Sequence, residues 1–121
     1  MAAPPTFAVA VTSTDRETLL SGTGEIDSAV SEDLRTRLTS AVEAGKPVIL
    51  DLSAVTFCDS SGLTALIHGH TTAEAAGTEF VLVTAQRAIL RPITLLGLAD
   101  LLRIHPDLES ARAALGPGGA A

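Results

Sequence analysis

The segment Phe57-Cys58-Asp59-Ser60-Ser61-Gly62-Leu63 sets a carboxylate, two hydroxyls and a glycine side by side. An apolar run precedes it and a helical pattern follows, which places it at a strand-to-helix turn. Two roles fit these residue types. In the structural one, Asp59 or Ser60 caps the helix by accepting from a free amide of its first turn. In the functional one, the Ser60 hydroxyl is a modification site. A helix N-terminus offers unpaired amides and the positive end of the macrodipole, so a phosphate there meets donors already in place. Phosphorylation adds about −1.5 to −2 charge and three strong acceptor oxygens. Asp59 opposes that charge from next door, so the phosphate adds little to the fold. Its main effect falls on a protein pressed against this surface, where a dianion replaces a neutral hydroxyl and is costly to desolvate. Ser61 and Gly62 keep the side chains low, so that a partner's backbone can come close.

Other chemistries fit less well. A strand-turn-helix serine resembles the Gly-x-Ser-x-Gly nucleophile elbow, and Asp100 and His105 follow in hydrolase order. Gly62 fills the second glycine position, but Cys58 stands at the first, where the strained turn needs glycine. Catalysis is therefore not expected. His68 and His70 are two residues apart, so on a helix they point roughly 200° from each other and cannot share a metal. His70 falls on the apolar stripe and reads as a packed, hydrogen-bonded histidine. Cys58 has no Lys, Arg or second Cys near it in sequence, the pattern of an inert thiol. Gly22-Thr23-Gly24 lacks the third glycine and the lysine of a phosphate loop. No cofactor and no metal are expected.

These residues must be held by a small aliphatic fold. The 121 residues suit one domain, 1–115, followed by a disordered tail at 116–121. Only 2% of residues are aromatic while 46% are hydrophobic, so the core is built from Leu, Val, Ile and Ala. A net charge of −6 and the lack of aromatic stacking platforms argue against direct nucleic-acid binding and for a partner with a basic surface. One cysteine, no signal-peptide pattern at residues 1–6 and no long apolar stretch point to the cytoplasm without membrane insertion.

Phe7, Val9 and Val11 alternate with small residues as in a half-buried strand, and Thr14–Glu17 turns the chain into a second strand over 18–23. Gly22 and Gly24 then take it out of the sheet. Residues 28–44 form an amphipathic helix with Val30, Leu34, Leu38, Ala41 and Val42 on one stripe; Asp27 or Ser28 caps its start. Val48–Leu52 is a strand covered on both faces, and a turn over 53–59 leads to a helix at 60–76, stopped by Gly77. Leu63, Leu66, Ile67, His70 and Ala73 make up its buried stripe. A strand at 80–83, a helix at 86–96 kinked by Pro92, a strand at 101–104 and a helix at 106–115 complete the chain. The fold class is α/β: an opening hairpin, then βα units, giving a mixed sheet of four to five strands with about four helices.

Phe57–Leu63 resembles the phosphorylation motif of the STAS family of bacterial anti-sigma factor antagonists. Three further segments resemble family patterns in order: Gly24-Glu25-Ile26-Asp27 before the first helix, Val48–Ser53 as the central strand, and Leu96–Leu102 with its Gly-Leu pair. The resemblance implies a STAS fold over nearly the whole chain. It implies that Ser60 is the phosphoacceptor and that Asp27, Asp59, Ser60, Ser61 and Gly62 form the partner surface. The implied partners are an anti-sigma factor that is itself a serine kinase, bound until Ser60 is phosphorylated, and a serine phosphatase that resets the switch. A non-switching scaffold of a stress-signalling or lipid-transport complex is the alternative within the family. Thr64 and Pro92 depart from the family pattern, and neither touches the acceptor. Both a monomer and a dimer agree with this reading.

Overall fold

A computed structural model describes residues 7–115. Along the chain run β1 (Phe7–Ser13), β2 (Thr18–Ile26), α1 (Ser31–Glu43), β3 (Val48–Cys58), α2 (Ser60–Ala76), β4 (Phe80–Val83), α3 (Arg87–Leu95), β5 (Ile104–His105) and α4 (Leu108–Ala114). The five strands lie in sequence order in one sheet, β1 antiparallel to β2 and the later neighbours parallel. The mixed α/β class read from the sequence therefore holds. The β1–β2 turn is closed by the Thr14 amide on the Glu17 carbonyl at 2.9 Å and by the Glu17 amide on Thr14 Oγ1 at 3.2 Å. Parallel neighbours cannot be joined by a tight turn, so helices make the crossovers.

The two faces of the sheet bury two separate cores. Val48, Leu50 and Leu52 of β3 and Phe80 and Leu82 of β4 meet Leu34, Leu38, Leu63, Leu66, Ile89 and Ile93 of the first three helices. Ile49, Val81 and Val83 point the other way, toward Ala111 of α4 and Leu115. That is why β3 and β4 read as unbroken apolar runs. Arg112 of α4 reaches back to Glu17 with three contacts of 2.9–3.1 Å, fastening the last helix to the first hairpin.

Four sequence expectations need correction. The second strand does not end at Thr23, and residues 53–58 are strand rather than turn: β2 and β3 stay paired to Ile26 and Cys58. The register slips between Ser21 and Thr23 and again between Gly24 and Glu25, each slip giving β3 one extra residue. The two bulges let Leu52, Val55 and Cys58, spaced three apart, all face the core. Gly24 sits at the second bulge with φ 103°, a conformation that favours glycine. The first helix starts at Ser31, after a turn over 28–30, and Val30 at its N-cap makes no side-chain cap bond. The last strand is at Ile104–His105, beyond the expected 101–104, with Leu101 exposed and Leu102 buried before it. The third helix keeps Pro92 inside it and ends within one residue of expectation on each side. The 116–121 tail lies outside the described residues.

Candidate functional site

The site forms where the long β2–β3 ladder ends. The Asp59 amide donates to the Ile26 carbonyl at 3.0 Å, so the last rung of the ladder also fixes the residue that starts α2. Asp59 is the N-cap, in extended backbone, and its Oδ1 accepts from the Gly62 amide at 3.0 Å and the Ser61 hydroxyl at 2.6 Å. The Ser61 hydroxyl first, and then the Gly62 amide, hold the Asp59 carboxyl below its usual range, with smaller support from the Ser61 and Ser28 amides. The carboxylate is thus occupied with the start of its own helix.

Ser60 is the first residue of α2 and is exposed. Contrary to expectation Thr64 does touch it, its hydroxyl donating to the Ser60 carbonyl at 2.9 Å one helical turn on and leaving the Ser60 hydroxyl out of the bond. The sequence left either Asp59 or Ser60 as the cap; the structure assigns it to Asp59, and the Ser60 hydroxyl is not needed for it. The supply of free amides at this terminus is narrower than expected, because Gly62 N–H is already given to Asp59 and Leu63 N–H to the Asp59 carbonyl.

Asp27 lies half-buried in the β2–α1 loop, and since Ile26 just before it accepts the Asp59 amide, the loop leaves the sheet beside the α2 start. Asp27 Oδ1 accepts from the Ala29 amide at 2.9 Å, and its carbonyl accepts from Val30 and Ser31. Asp27 therefore shapes the turn ahead of α1 and is not the N-cap of that helix. Ser61 is half-buried. Gly62 is buried and faces inward: a Cβ there would stand 2.5 Å from Cys58 Sγ and 2.7 Å from Ile26 Cγ2. Glycine at 62 serves the seating of α2 on the ladder, not the openness of the surface, and Gly62 contributes little to any contact face. Cys58 beneath it is buried, and burial, then the Asp59 charge, push its thiol up to about 12, which leaves it unreactive.

The hydrogen-bonded histidine is His68, not His70 as expected. His68 Nε2 lies 3.2 Å from Thr39 Oγ1 and 3.4 Å from Thr72 Oγ1 and links α1 to α2. His70 Nε2 is buried without a hydrogen bond, 3.8 Å from Glu74. The stripe of α2 is Leu63, Leu66, Gly69 and Ala73, with Ile67 and His70 only half-buried at its border. Among the described residues no group of three His, Cys, Asp or Glu is placed to hold a metal ion. His105 lies on β5, with β4 between it and the strand that leads to Ser60.

Exposed apolar residues besides Val11 and Leu101 also escaped the sequence reading. Phe57 is 46% exposed two residues before Asp59. Leu95 and Leu96 at the end of α3 are 74% and 64% exposed, and with Arg87, Arg91 and Pro92 they line an open groove of about 650 Å³. The adjacent pair Leu95-Leu96 was the available signal, since Ile89 and Ile93 already supply the buried face of that helix.

The STAS domain family model matches residues 8–111. The anti-sigma-F factor antagonist RsfA of Mycobacterium tuberculosis is 31% identical over 103 residues, covering 83% of this chain and 80% of RsfA. A crystal structure of an anti-sigma factor antagonist from Mycobacterium paratuberculosis superposes with a TM-score of 0.83 at 32% identity, covering 97% of this chain and 100% of that one. The Bacillus cell fate determinant SpoIIAA in its phosphorylated form has the same fold, with a TM-score of 0.68 at 19% identity over 88% of this chain and 99% of its own. With its ladder, its Asp59-capped helix and these likenesses together, the chain belongs to the STAS domain family.

Proposed function

We propose that this protein is an anti-sigma factor antagonist switched by phosphorylation of Ser60. Unmodified, it binds an anti-sigma factor that is also a serine kinase and so frees the sigma factor; phosphorylation ejects the kinase, and a serine phosphatase restores binding. The cell compartment is the cytoplasm, and the protein serves as ligand and substrate, not as an enzyme. The observation that carries this reading is the division of labour at the α2 N-terminus: Asp59 does the capping, while Ser60 is exposed and free to react. The RsfA likeness, over most of both chains, supports the antagonist role. Asp27, Asp59, Ser60 and Ser61 form the contact surface, and Gly62 acts through the seating of the helix.

A phosphate on Ser60 would stand beside the Asp59 carboxylate, whose nearest amides are already taken. With little to absorb the new charge inside the fold, the cost appears at the interface, where a dianion must be desolvated against the partner. Ser60→Ala is expected to bind the anti-sigma factor whether or not ATP is present. Ser60→Asp is expected to bind at least about a hundredfold more weakly, the scale of a charge buried unpaired at an interface. Calorimetric titration measures both. Equal binding by wild type, Ser60→Ala and Ser60→Asp would remove the switch and leave the scaffold role.

A further inference from the structure

The two edges of the sheet are finished differently. At one, β5 is only the pair Ile104–His105, and a short edge strand discourages pairing. At the other, β1 runs seven residues without a charge or a proline. Among the described residues its only strand neighbour is β2, and its register with β2 contains no bulge to twist the edge away. Among the described residues the devices that usually guard an edge are missing from β1 itself, and the charge set against it, Lys46, sits at its far end, where Nζ donates to Ser13 Oγ at 2.9 Å and to the Thr14 carbonyl at 2.7 Å. Side chains along β1 open toward the same flank. Phe7 is buried in the core and Val9 is half-buried against it, while Val11, on the same face by alternation, is 53% exposed. Its cross-strand partner Leu20 is fully buried, so Val11 stands where the cover of this face ends toward β1.

We propose that β1 of a second copy of this chain occupies that edge, antiparallel and centred on Ala10. This register sets Val9 against Val11, Ala8 against Thr12 and Phe7 against Ser13, with Ala10 on the two-fold axis. Every pair is small, apolar or hydroxylated, and no like charges meet despite a net charge of −6 per chain. The exposed Val11 of each copy is covered by Val9 of the other, and the apolar row of β1 becomes one seam across the dimer. Because β3 runs parallel to β2 and antiparallel to β1, the two-fold axis reverses it in the second copy. The two Ser60 hydroxyls then sit at opposite ends of a joined sheet, both accessible. The proposal does not depend on Ser60 being a switch.

Sedimentation of the full chain across the micromolar to millimolar range is expected to show a reversible monomer–dimer equilibrium. Val11→Lys brings a guard charge to the edge and is expected to raise the dimer Kd at least about tenfold, with an unchanged melting temperature at concentrations where the wild type is monomeric. Ala10→Cys meets its own copy on the axis and is expected to cross-link under mild oxidation. Directly opposed antiparallel residues lie about 4.5–5.5 Å apart at Cα, within disulfide reach. Cys58 is too buried to compete, and Thr94→Cys, exposed on α3, serves as the control. A wild type that stays monomeric throughout, a Val11→Lys variant that dimerises equally well, or Ala10→Cys cross-linking no faster than the control would each overturn the proposal.

Discussion

Two helices in this molecule begin with the same chemistry, and only one of them begins at a candidate site. Asp59 caps α2 by accepting from the amide of Gly62, and Asp107 caps α4 by accepting from the amide of Ser110 at 2.7 Å. Both carboxyls are held below their usual range: Asp59 by the Ser61 hydroxyl and the Gly62 amide, Asp107 by the Ser110 amide and then its hydroxyl. The difference lies one residue on. Ser60 is exposed at the first position of α2, whereas Leu108 packs against the α4 core. A capped N-terminus is therefore only a frame, and what it presents decides whether the helix start is structural or addressable.

The comparison breaks most visibly at the third helical residue. Gly62→Ala drives a methyl into Cys58 and Ile26 and is expected to cost about 1–3 kcal/mol in urea unfolding. Its counterpart Ser110→Ala, with no such crowding, is expected to cost well under half of that. If the two cost the same, the close seating of α2 on the ladder is not what requires glycine.

At the first helical residue the order reverses. Leu108→Ala removes a half-buried side chain and is expected to cost about 1–2 kcal/mol, while Ser60→Ala stays within about 0.5 kcal/mol of wild type. Marked destabilisation by Ser60→Ala would mean that the hydroxyl belongs to the fold after all.

Replacing the caps should be nearly symmetrical in stability and unequal in binding. Asp59→Ala and Asp107→Ala are each expected to lower Tm by a few degrees in calorimetry. Only Asp59→Ala is expected to weaken anti-sigma factor binding as well. The smallest effect is in pH. Since both folded carboxyls titrate below the ordinary unfolded value of 3.8, their contribution to stability is present above that value. It is lost as the pH falls through the lower folded values. Asp59→Asn and Asp107→Asn should each flatten the acid limb of a stability profile taken between about pH 5 and pH 2.

The chain announced some of this plainly. The α2 limits were legible because Asp59 and Gly77 are strong start and stop residues around an apolar stripe. Val48–Leu52 and Phe80–Val83 were legible because strands covered on both faces need no alternation. The far half of the β2–β3 ladder was not, because two bulges convert a period of two into the three-residue spacing of Leu52, Val55 and Cys58, which imitates a turn. At the site itself, residue type pointed to the Asp59-Ser60 pair but could not divide capping from exposure, as Asp and Ser both cap helices. The true reason for Gly62 was also out of reach, since it depends on Cys58 and on Ile26 of another strand.

The most direct test mixes purified protein with its anti-sigma factor and ATP, maps the modified residue by peptide mass spectrometry, and follows the complex by size exclusion. One phosphoryl group on Ser60, with the complex dissolving as it accumulates and Ser60→Ala remaining bound, is the predicted result. Phosphate on another residue, or full modification of Ser60 with the complex intact, would contradict the account.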